Sequence, residues 1–315
     1  MCAPHSHAPH DAPAPPRGNT RCDRISRSWE GGSAAATSRP GTERNMRVSI
    51  ASEPATPGAV NLDWAGAFPR LAVVLDGLTE SPQTGCVHGT AWYVARLGAR
   101  LLRRLDGPTP LADGLALAIE EVAAEHPRCD LRHPGSPGST VSIVRQTPQG
   151  AEYLVLADSP VVLDAADGPV AVVDDSWKAL ATPHLAAAAD RGTRDDLARF
   201  ITDQQSQRNT PGGYWIARTE PEAAAHALTG TVPDVHGAVL ASDGAALLVT
   251  DYARLDWRGY LDLAYREGPA GIITSTRAAE HTDPDRTRWP RQKVSDDATA
   301  AVCLFDTTRQ KGAQP

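Results

Sequence analysis

Three aspartates lie where short apolar runs begin or end, and carboxylates in such positions can hold metal ions. Asp76 follows the run Leu71–Leu75, and Asp243 follows Gly237–Ala241. Asp296 precedes the last apolar run of the chain. A strand end holds a side chain at a fixed point, and converging carboxylates repel one another unless a cation neutralises them. Oxygen ligands suit Mg²⁺ or Mn²⁺ rather than Zn²⁺. Taken singly, each Asp-Gly pair is also an ordinary turn signal.

The apolar runs predict a series of strands interrupted by helices. Helical spacing of apolar residues predicts two amphipathic helices, Thr90–Leu105 and Leu111–His126. Helices within a strand series, with strands before and after them, predict two packed sheets flanked by helices. The predicted strands are Arg70–Asp76, Thr140–Arg145, Glu152–Ala157, Val161–Asp164, Val170–Val173, Gly213–Ile216, Gly237–Ala241 and Thr299–Phe305, and a structured segment is expected over Met46–Ser52. The other predicted helices are Trp177–Ser206, Glu222–Ala227, Asp256–Glu267 and Gly271–His281.

The composition is that of a globular protein with room for a sizeable core. The chain has 315 residues, of which 41% are hydrophobic and 22% are charged. Its formal net charge of −7 argues against a protein that binds nucleic acid by neutralising phosphates. No apolar run reaches the roughly 18 residues of a membrane helix, and no secretory signal is recognisable. We therefore expect a cytoplasmic protein that binds neither nucleic acid nor membrane, and the oligomeric state stays open.

The cysteines predict neither a disulfide framework nor a zinc knuckle. The chain has five, an odd number, and no two of them form a Cys-x-x-Cys pair. This usage fits a reducing compartment. The five are Cys2, Cys22, Cys86, Cys129 and Cys303.

The two ends of the chain differ in composition from its middle. Residues 1–45 are poor in aliphatic side chains and rich in Ala, Pro, Arg, Ser and Gly, which predicts a disordered extension. Its histidines His5, His7 and His10 are better explained as solvated than as metal ligands. A folded domain is expected over residues 46–306 and a disordered tail over 307–315. Met46 is an alternative start of the protein.

Five short motifs occur along the chain in the order typical of one protein family. They are LDG, GST, ADSPVVL, SDG and SDDAT. Together they resemble the metal-dependent Ser/Thr protein phosphatases of the protein phosphatase 2C type, in a divergent bacterial form. The resemblance extends from Asn61 to Phe305. It implies an α/β four-layer sandwich, in which two antiparallel sheets pack face to face with helices on both outer sides.

The resemblance also implies roles for the aspartates. Asp76 would bridge two Mg²⁺ or Mn²⁺ ions, and the Gly77 carbonyl would bind one of them. Asp243 and Asp296 would complete the first metal site, and Asp63 corresponds to the aspartate of the family's Glu-Asp pair. The implied reaction is hydrolysis of phosphoserine or phosphothreonine in a phosphoprotein by a water that the two metals activate.

The sequence departs from the family pattern at the second metal site. Leu62 stands in place of the glutamate of the Glu-Asp pair, so the second ion should bind more weakly than the first. The family's phosphate-binding arginine has no match in residues 55–60. Asp63 or Glu80 could supply the missing ligand, whereas Asp158 is expected to be structural. The alternative function is a pseudophosphatase, a binding or partner-switching module with weak or no metal binding. A third candidate function is hydrolysis of a small phosphoester.

Three other features suggest chemistry less strongly. Cys86 and His88 could form a nucleophilic pair, but a buried cysteine and a capping histidine explain them better. The Gly-Gly pair in Pro211–Trp215 is better explained as a turn than as a phosphate-binding loop. The basic run Arg286–Lys293 could bind an anionic partner, although a solvated loop is the preferred explanation.

Overall fold

Ten strands form two antiparallel sheets in the computed structural model, which describes residues 45–80, 83–178, 203–291 and 293–306. The strands are β1 (Met46–Glu53), β2 (Trp64–Phe68), β3 (Leu71–Leu75), β4 (Val141–Thr147), β5 (Gly150–Leu156), β6 (Val161–Ala165), β7 (Gly168–Val172), β8 (Leu228–Pro233), β9 (Val235–Ala241) and β10 (Ala298–Phe305). The first sheet has the order β1-β10-β9-β6-β7 and the second the order β2-β3-β4-β5-β8.

The helices cover the outer faces of the two sheets. The helices are α1 (Thr90–Leu105), α2 (Leu111–Ala124), α3 (Asp243–Thr250), α4 (Trp257–His281) and a short 3₁₀ helix, Pro221–His226. Apolar residues of α1 and α2 pack on the second sheet, and those of α3 and α4 pack on the first. A third apolar cluster lies between the sheets. This is the four-layer sandwich that the motifs implied.

Strand β3 shows why the central strands have continuous apolar sequences. All five of its residues are buried. Ala72 and Val74 face the other sheet, whereas Leu71, Val73 and Leu75 face α1 and α2. A strand that is covered on both faces needs apolar residues at every position. Asp76, which follows β3, is therefore held by a fully packed element.

Most of the predicted elements are present, including the short strands β3, β6 and β7, and three elements were not predicted. Helix α1 has the predicted bounds, and α2 ends two residues before the predicted His126. The sequence analysis missed β2, β8 and α3. Strand β2 has the small-residue sequence WAGAF, and β8 is a largely exposed edge strand that contains glycine and ends in proline. The predicted strand Gly213–Ile216 is wrong, because this segment forms only an isolated bridge from Tyr214 to Arg208.

The two helices predicted over Asp256–Glu267 and Gly271–His281 are confirmed, and they meet at a kink within α4. The backbone is non-helical at Gly268, which has a φ of 73° and is followed by Pro269. Proline removes a backbone donor and clashes with the preceding turn, which interrupts the helical hydrogen bonds there. The Asp256 side chain caps its N-terminus by accepting a 2.7 Å hydrogen bond from the Gly259 amide.

Several predictions fall outside the described residues. These are the two terminal segments, apart from Asn45, and most of the helix predicted over Trp177–Ser206. None of the helices in the described part of the chain is both long and apolar enough to cross a membrane.

The packing of α1 against β2 gives a test of the fold near Asp63, which directly precedes β2. A Cβ atom at Gly98 would lie 2.3 Å from two atoms of the Trp64 indole. We expect Gly98→Ala to lower the free energy of unfolding by about 1–2 kcal/mol, because overpacking outweighs the better helix propensity of alanine. Urea unfolding measures this, with Gly107→Ala as the control because its Cβ would meet no atom within 4 Å. A Gly98→Ala protein that is more stable than wild type would contradict the packing.

Candidate functional site

The predicted aspartates meet at one edge of the two sheets. Asp63 directly precedes β2 and Asp76 follows β3, whereas Asp243 begins α3 after β9 and Asp296 lies two residues before β10. The Asp243 amide donates a 3.3 Å hydrogen bond to Oδ2 of Asp76. The structure thus brings together acids that are up to 233 positions apart in the sequence, as Asp63 and Asp296 are. We call these four residues the acid cluster.

The GST motif holds the backbone of Asp76 in place. The Asp76 carbonyl accepts hydrogen bonds from the Thr140 amide and the Ser139 hydroxyl, both at 2.9 Å. The Asp76 amide donates to Oγ1 of Thr140 at 3.2 Å. That hydroxyl also pairs with Oγ of Ser159 at 2.6 Å. Backbone and hydroxyl contacts therefore fix the carboxylate at the end of β3.

Burial and mutual repulsion raise the pKa values of three of these acids, Asp76, Asp63 and Asp243. Burial raises the pKa of Asp76 well above its usual value, and the charges of Asp243, Asp63 and Asp296 raise it further. Burial also raises the pKa of Asp63 to about 7, and the pKa of Asp243 rises because of burial and then the charge of Asp296. Such shifts mark a site where negative charge is concentrated without enough positive charge to balance it.

The donors of the acid cluster fit a hard divalent cation. Asp63 is only 8% exposed, and neither of its carboxylate oxygens has a hydrogen bond of ordinary geometry. The hydroxyls of Thr299 and Ser242 lie close enough to favour its charged form. Buried carboxylate oxygens without partners are costly, and coordination of a cation satisfies them. Clustered carboxylates are the ligand set of Mg²⁺ and Mn²⁺.

Lys293 supplies part of the missing positive charge. Its Nζ donates hydrogen bonds to Oδ1 of Asp296 at 2.7 Å and to Oγ1 of Thr79 at 2.8 Å. Burial opposes its charge, but Asp296, Asp243 and Asp76 raise its pKa overall. The end of the basic run Arg286–Lys293 is therefore bound to the acid cluster through Asp296.

Residues of the basic run that precede Lys293 are arranged around another aspartate, Asp283. Asp283 accepts hydrogen bonds from the amides of Thr287, Arg288 and Trp289 and from the guanidinium of Arg291. Burial opposes its charge, but these donors hold the pKa of Asp283 below its usual range. The prediction of a solvated loop is confirmed for Arg286, Thr287, Arg288 and Pro290, which are exposed, although the run folds back on Asp283.

Asp297 stabilises the loop that contains Leu62. Its two carboxylate oxygens accept hydrogen bonds from the amides of Ala55 and Leu62, each at 2.7 Å. The Leu62 carbonyl in turn approaches Gly77 so closely that a Cβ there would lie 2.2 Å from the oxygen. Only glycine permits this approach, so Gly77 is required sterically whatever else its carbonyl binds.

Sequence reasoning missed Asp158. Asp158 follows β5. Burial, and then the charge of Asp243, raise its pKa to about 7. Because Asp243 influences it, Asp158 adjoins the acid cluster. Its neighbour Ser159 has the structural role expected of this motif, since its carbonyl accepts a hydrogen bond from the Ser142 hydroxyl. The rule that found the other acids, a carboxylate at a strand end, applies to Asp158 as well.

The remaining candidates lie outside the acid cluster. The Glu80 carboxylate accepts a hydrogen bond from the Thr90 amide, so it caps α1 instead of replacing the missing metal ligand. Burial raises the pKa of the Cys86 thiol, which argues against an activated nucleophile. In the Gly-Gly segment, Gly212 has a φ of 83° and the Gly213 amide donates to the Thr210 carbonyl, as the turn interpretation predicted.

The raised pKa values predict how the stability of the metal-free protein depends on pH. The folded protein binds more protons than the unfolded chain between pH 4 and 7, because the pKa of Asp63 rises from 3.8 to about 7. Its free energy of unfolding should therefore fall as the pH rises through this interval, by about 1.4 kcal/mol for each unit of pKa shift. Urea unfolding in buffer without divalent cations measures this dependence.

Asp76→Asn should flatten that dependence and raise the stability at pH 8, because it removes one repelling charge from the acid cluster. Asp167→Asn, in an exposed turn, is the matched control and should follow wild type. Parallel curves for wild type and Asp76→Asn would show that the acids do not interact.

Comparison with known proteins connects this arrangement to one fold family. No protein-family model matches the sequence, and neither does any curated protein. Among solved structures, the catalytic domain of the serine threonine protein phosphatase PstP, in complex with two manganese ions, has a TM-score of 0.51 at 15% identity and covers 83% of this chain and 99% of that chain. PppA, a regulatory component of the T6SS in Pseudomonas aeruginosa, has a TM-score of 0.50 at 18% identity over 83% and 98% of the two chains.

A third structure extends the likeness beyond bacteria. A C. elegans sex determining protein has a TM-score of 0.50 at 14% identity and covers 82% of this chain and 65% of that chain. At such identities a likeness establishes the fold, and the chemistry has to be argued from the site. The chain therefore has the fold of the protein phosphatase 2C-type Ser/Thr phosphatases.

Proposed function

We propose that this protein is a metal-dependent phosphatase that hydrolyses phosphoserine or phosphothreonine in a phosphoprotein of the cytoplasm. The observation that carries the proposal is the acid cluster at the sheet edge, whose carboxylates are only partly balanced by the charge of Lys293. The fold adds support, because PstP is a serine threonine protein phosphatase in complex with two manganese ions.

Each acid has a role in this proposal. Asp76 and the Gly77 carbonyl hold Mg²⁺ or Mn²⁺ together with Asp243 and Asp296, and Asp63 belongs to the weaker second site. Bound ions of this kind lower the pKa of a coordinated water and polarise phosphoryl oxygens. The chain's own contribution is to position the acids before substrate arrives, and for Asp76 the hydrogen bonds of Thr140 hold its backbone in place.

A pseudophosphatase is the second candidate, and two observations favour it. Leu62 brings no carboxylate to the place where the family has one. Lys293 forms an ion pair with Asp296, so an ammonium already lies where a cation would bind. If metal binding is too weak for catalysis, the same surface serves as a binding or partner-switching module.

Activity with a simple phosphoester separates these candidates. Mn²⁺ should support hydrolysis of p-nitrophenyl phosphate by the full chain, and excess EDTA should abolish it. Asp76→Asn should reduce turnover at least about a hundredfold, because it removes a carboxylate charge that would hold the metal ions. Asp167→Asn is the control and should keep wild-type turnover. Protein that binds Mn²⁺ in calorimetry without turnover would establish the pseudophosphatase, and hydrolysis of small esters but not of phosphothreonine peptides would exclude a protein substrate.

The second metal site gives a complementary gain-of-function prediction. Leu62→Glu restores a carboxylate, so the Mn²⁺ concentration for half-maximal activity should fall several-fold, since affinity rises with ligand charge. Leu62→Gln has nearly the same shape without the charge and should not show this gain. Equal behaviour of the two variants would mean that Asp63 or another acid already completes the second site.

A further inference from the structure

Four side chains with thiol or imidazole donors lie close together outside the acid cluster, whose donors are carboxylates. Cys86, His88, His126 and Cys129 each offer one ligand atom, and all of these atoms lie within 4.8 Å of one another. In the sequence they form two short pairs, Cys-x-His and His-x-x-Cys, separated by the helices α1 and α2. The sequence predicted no zinc site because it contains no Cys-x-x-Cys pair. This combination of cysteine and histidine pairs was not recognised.

The distances between the donors match those of a tetrahedral zinc site. Sγ of Cys86 lies 3.5 Å from Nδ1 of His126 and 3.7 Å from Nδ1 of His88, and Sγ of Cys129 lies 3.5 Å from Nδ1 of His88. With Zn–S and Zn–N bonds of about 2.3 and 2.0–2.1 Å, tetrahedral geometry places sulfur about 3.5 Å from nitrogen. Ordinary packing does not require four such atoms to face one another.

The backbone on both sides of the cluster is fixed. Oγ1 of Thr84 donates to the Cys86 carbonyl at 2.8 Å, and the His88 amide donates to Sγ of Cys86 at 3.4 Å. On the other side, the Cys129 amide donates to the His126 carbonyl at 3.0 Å. These hydrogen bonds hold both pairs of ligand residues in place, as the surroundings of metal ligands commonly do.

Aromatic contacts orient the two imidazoles. The Trp92 ring stacks on His88 with centroids 4.4 Å apart and meets the edge of His126 at 4.6 Å. His126 is only 4% exposed, so its ring cannot rotate freely into solvent. Ring orientation that is set by surrounding contacts is a usual property of histidine ligands in metal sites.

We propose that Cys86, His88, His126 and Cys129 bind one Zn²⁺ ion in a structural site that is separate from the acid cluster. Two thiolates and two neutral imidazoles balance the charge of the ion, and binding releases the two thiol protons to solvent. All four ligands come from the protein, which is typical of structural rather than catalytic zinc. Sulfur and imidazole donors favour zinc over Mg²⁺ and Mn²⁺.

The ion would join two segments that flank the acid cluster. Residues 78–89 lead from Gly77 to α1, and residues 125–137 lead from α2 to the GST motif that holds Asp76. A hydrogen bond from the Asp130 amide to the Gly85 carbonyl, at 2.8 Å, already connects them. Zinc would add a stronger connection at the same place, so its loss should lower the melting temperature of the protein.

Metal analysis of the full-length protein tests the proposal. Protein purified from zinc-supplemented cells should contain about one zinc ion per chain by elemental mass spectrometry. His88→Ala and Cys129→Ser should lose the zinc and melt at lower temperature. His236→Ala and Cys303→Ala remove a histidine and a cysteine elsewhere and should keep it, and so should Asp76→Asn, because the acid cluster is not the zinc site. Zinc-free wild-type protein, or Cys129→Ser with full zinc content, would overturn the proposal.

Two further measurements cover the other outcomes. If the variants fail to fold, Co²⁺ exchange into wild-type protein should give the intense visible absorption of tetrahedral cobalt and a thiolate-to-metal band, and their absence excludes the site. A disulfide between Cys86 and Cys129 would also explain why their two sulfur atoms lie close together. Thiol titration of unfolded, unreduced, metal-free protein should find all five cysteines free, and loss of two thiols would refute the proposal.

Discussion

Repulsion among carboxylates at one sheet edge is the constraint on which this structure depends. Asp76 and Asp243 lie close enough to hydrogen-bond, and Asp63 and Asp296 add their charges to the same site. Such an arrangement is stable only if the packing of the elements that carry the acids contributes more free energy than the repulsion between the acids costs. The fully buried β3 and the almost fully buried β9 and β10 meet this requirement, since apolar burial contributes about 25 cal/mol per Å².

The small polar residues of the motifs make the arrangement specific. Apolar packing fixes the strands, but it does not orient a carboxylate. Thr140 and Ser139 bind the Asp76 backbone, and Asp297 binds the loop that ends at Leu62. Each of these contacts joins segments distant in sequence, and each satisfies a polar group that would otherwise be buried without a partner. The GST motif and the second aspartate of SDDAT are therefore parts of the support rather than of the reacting centre.

The sequence predicted the acid cluster because its members share a local signal, a carboxylate next to an apolar strand. Asp158 carries that signal too and was missed because its motif was interpreted only as structural. The Cys–His cluster has no local signal of this kind. His88 and His126 are neighbours only because α1 and α2 pack side by side, which places the start of one helix beside the end of the other. Strand β8 was missed for another reason, since an exposed edge strand shows little apolar alternation.

The ligand types distinguish the two proposed metal sites and suggest how the first would be regulated. Hard carboxylates would select Mg²⁺ or Mn²⁺ at the acid cluster, whereas thiolates and imidazoles would select zinc beside α1. At the acid cluster, a cation that binds Asp296 would compete with the Lys293 ammonium, which also has Thr79 as a partner. Under the proposed function, Leu62 and Lys293 would both lower metal affinity while leaving the acids in place. Under the proposed function, the concentration of free Mg²⁺ or Mn²⁺ then decides whether this chain acts as a phosphatase or as a binding module.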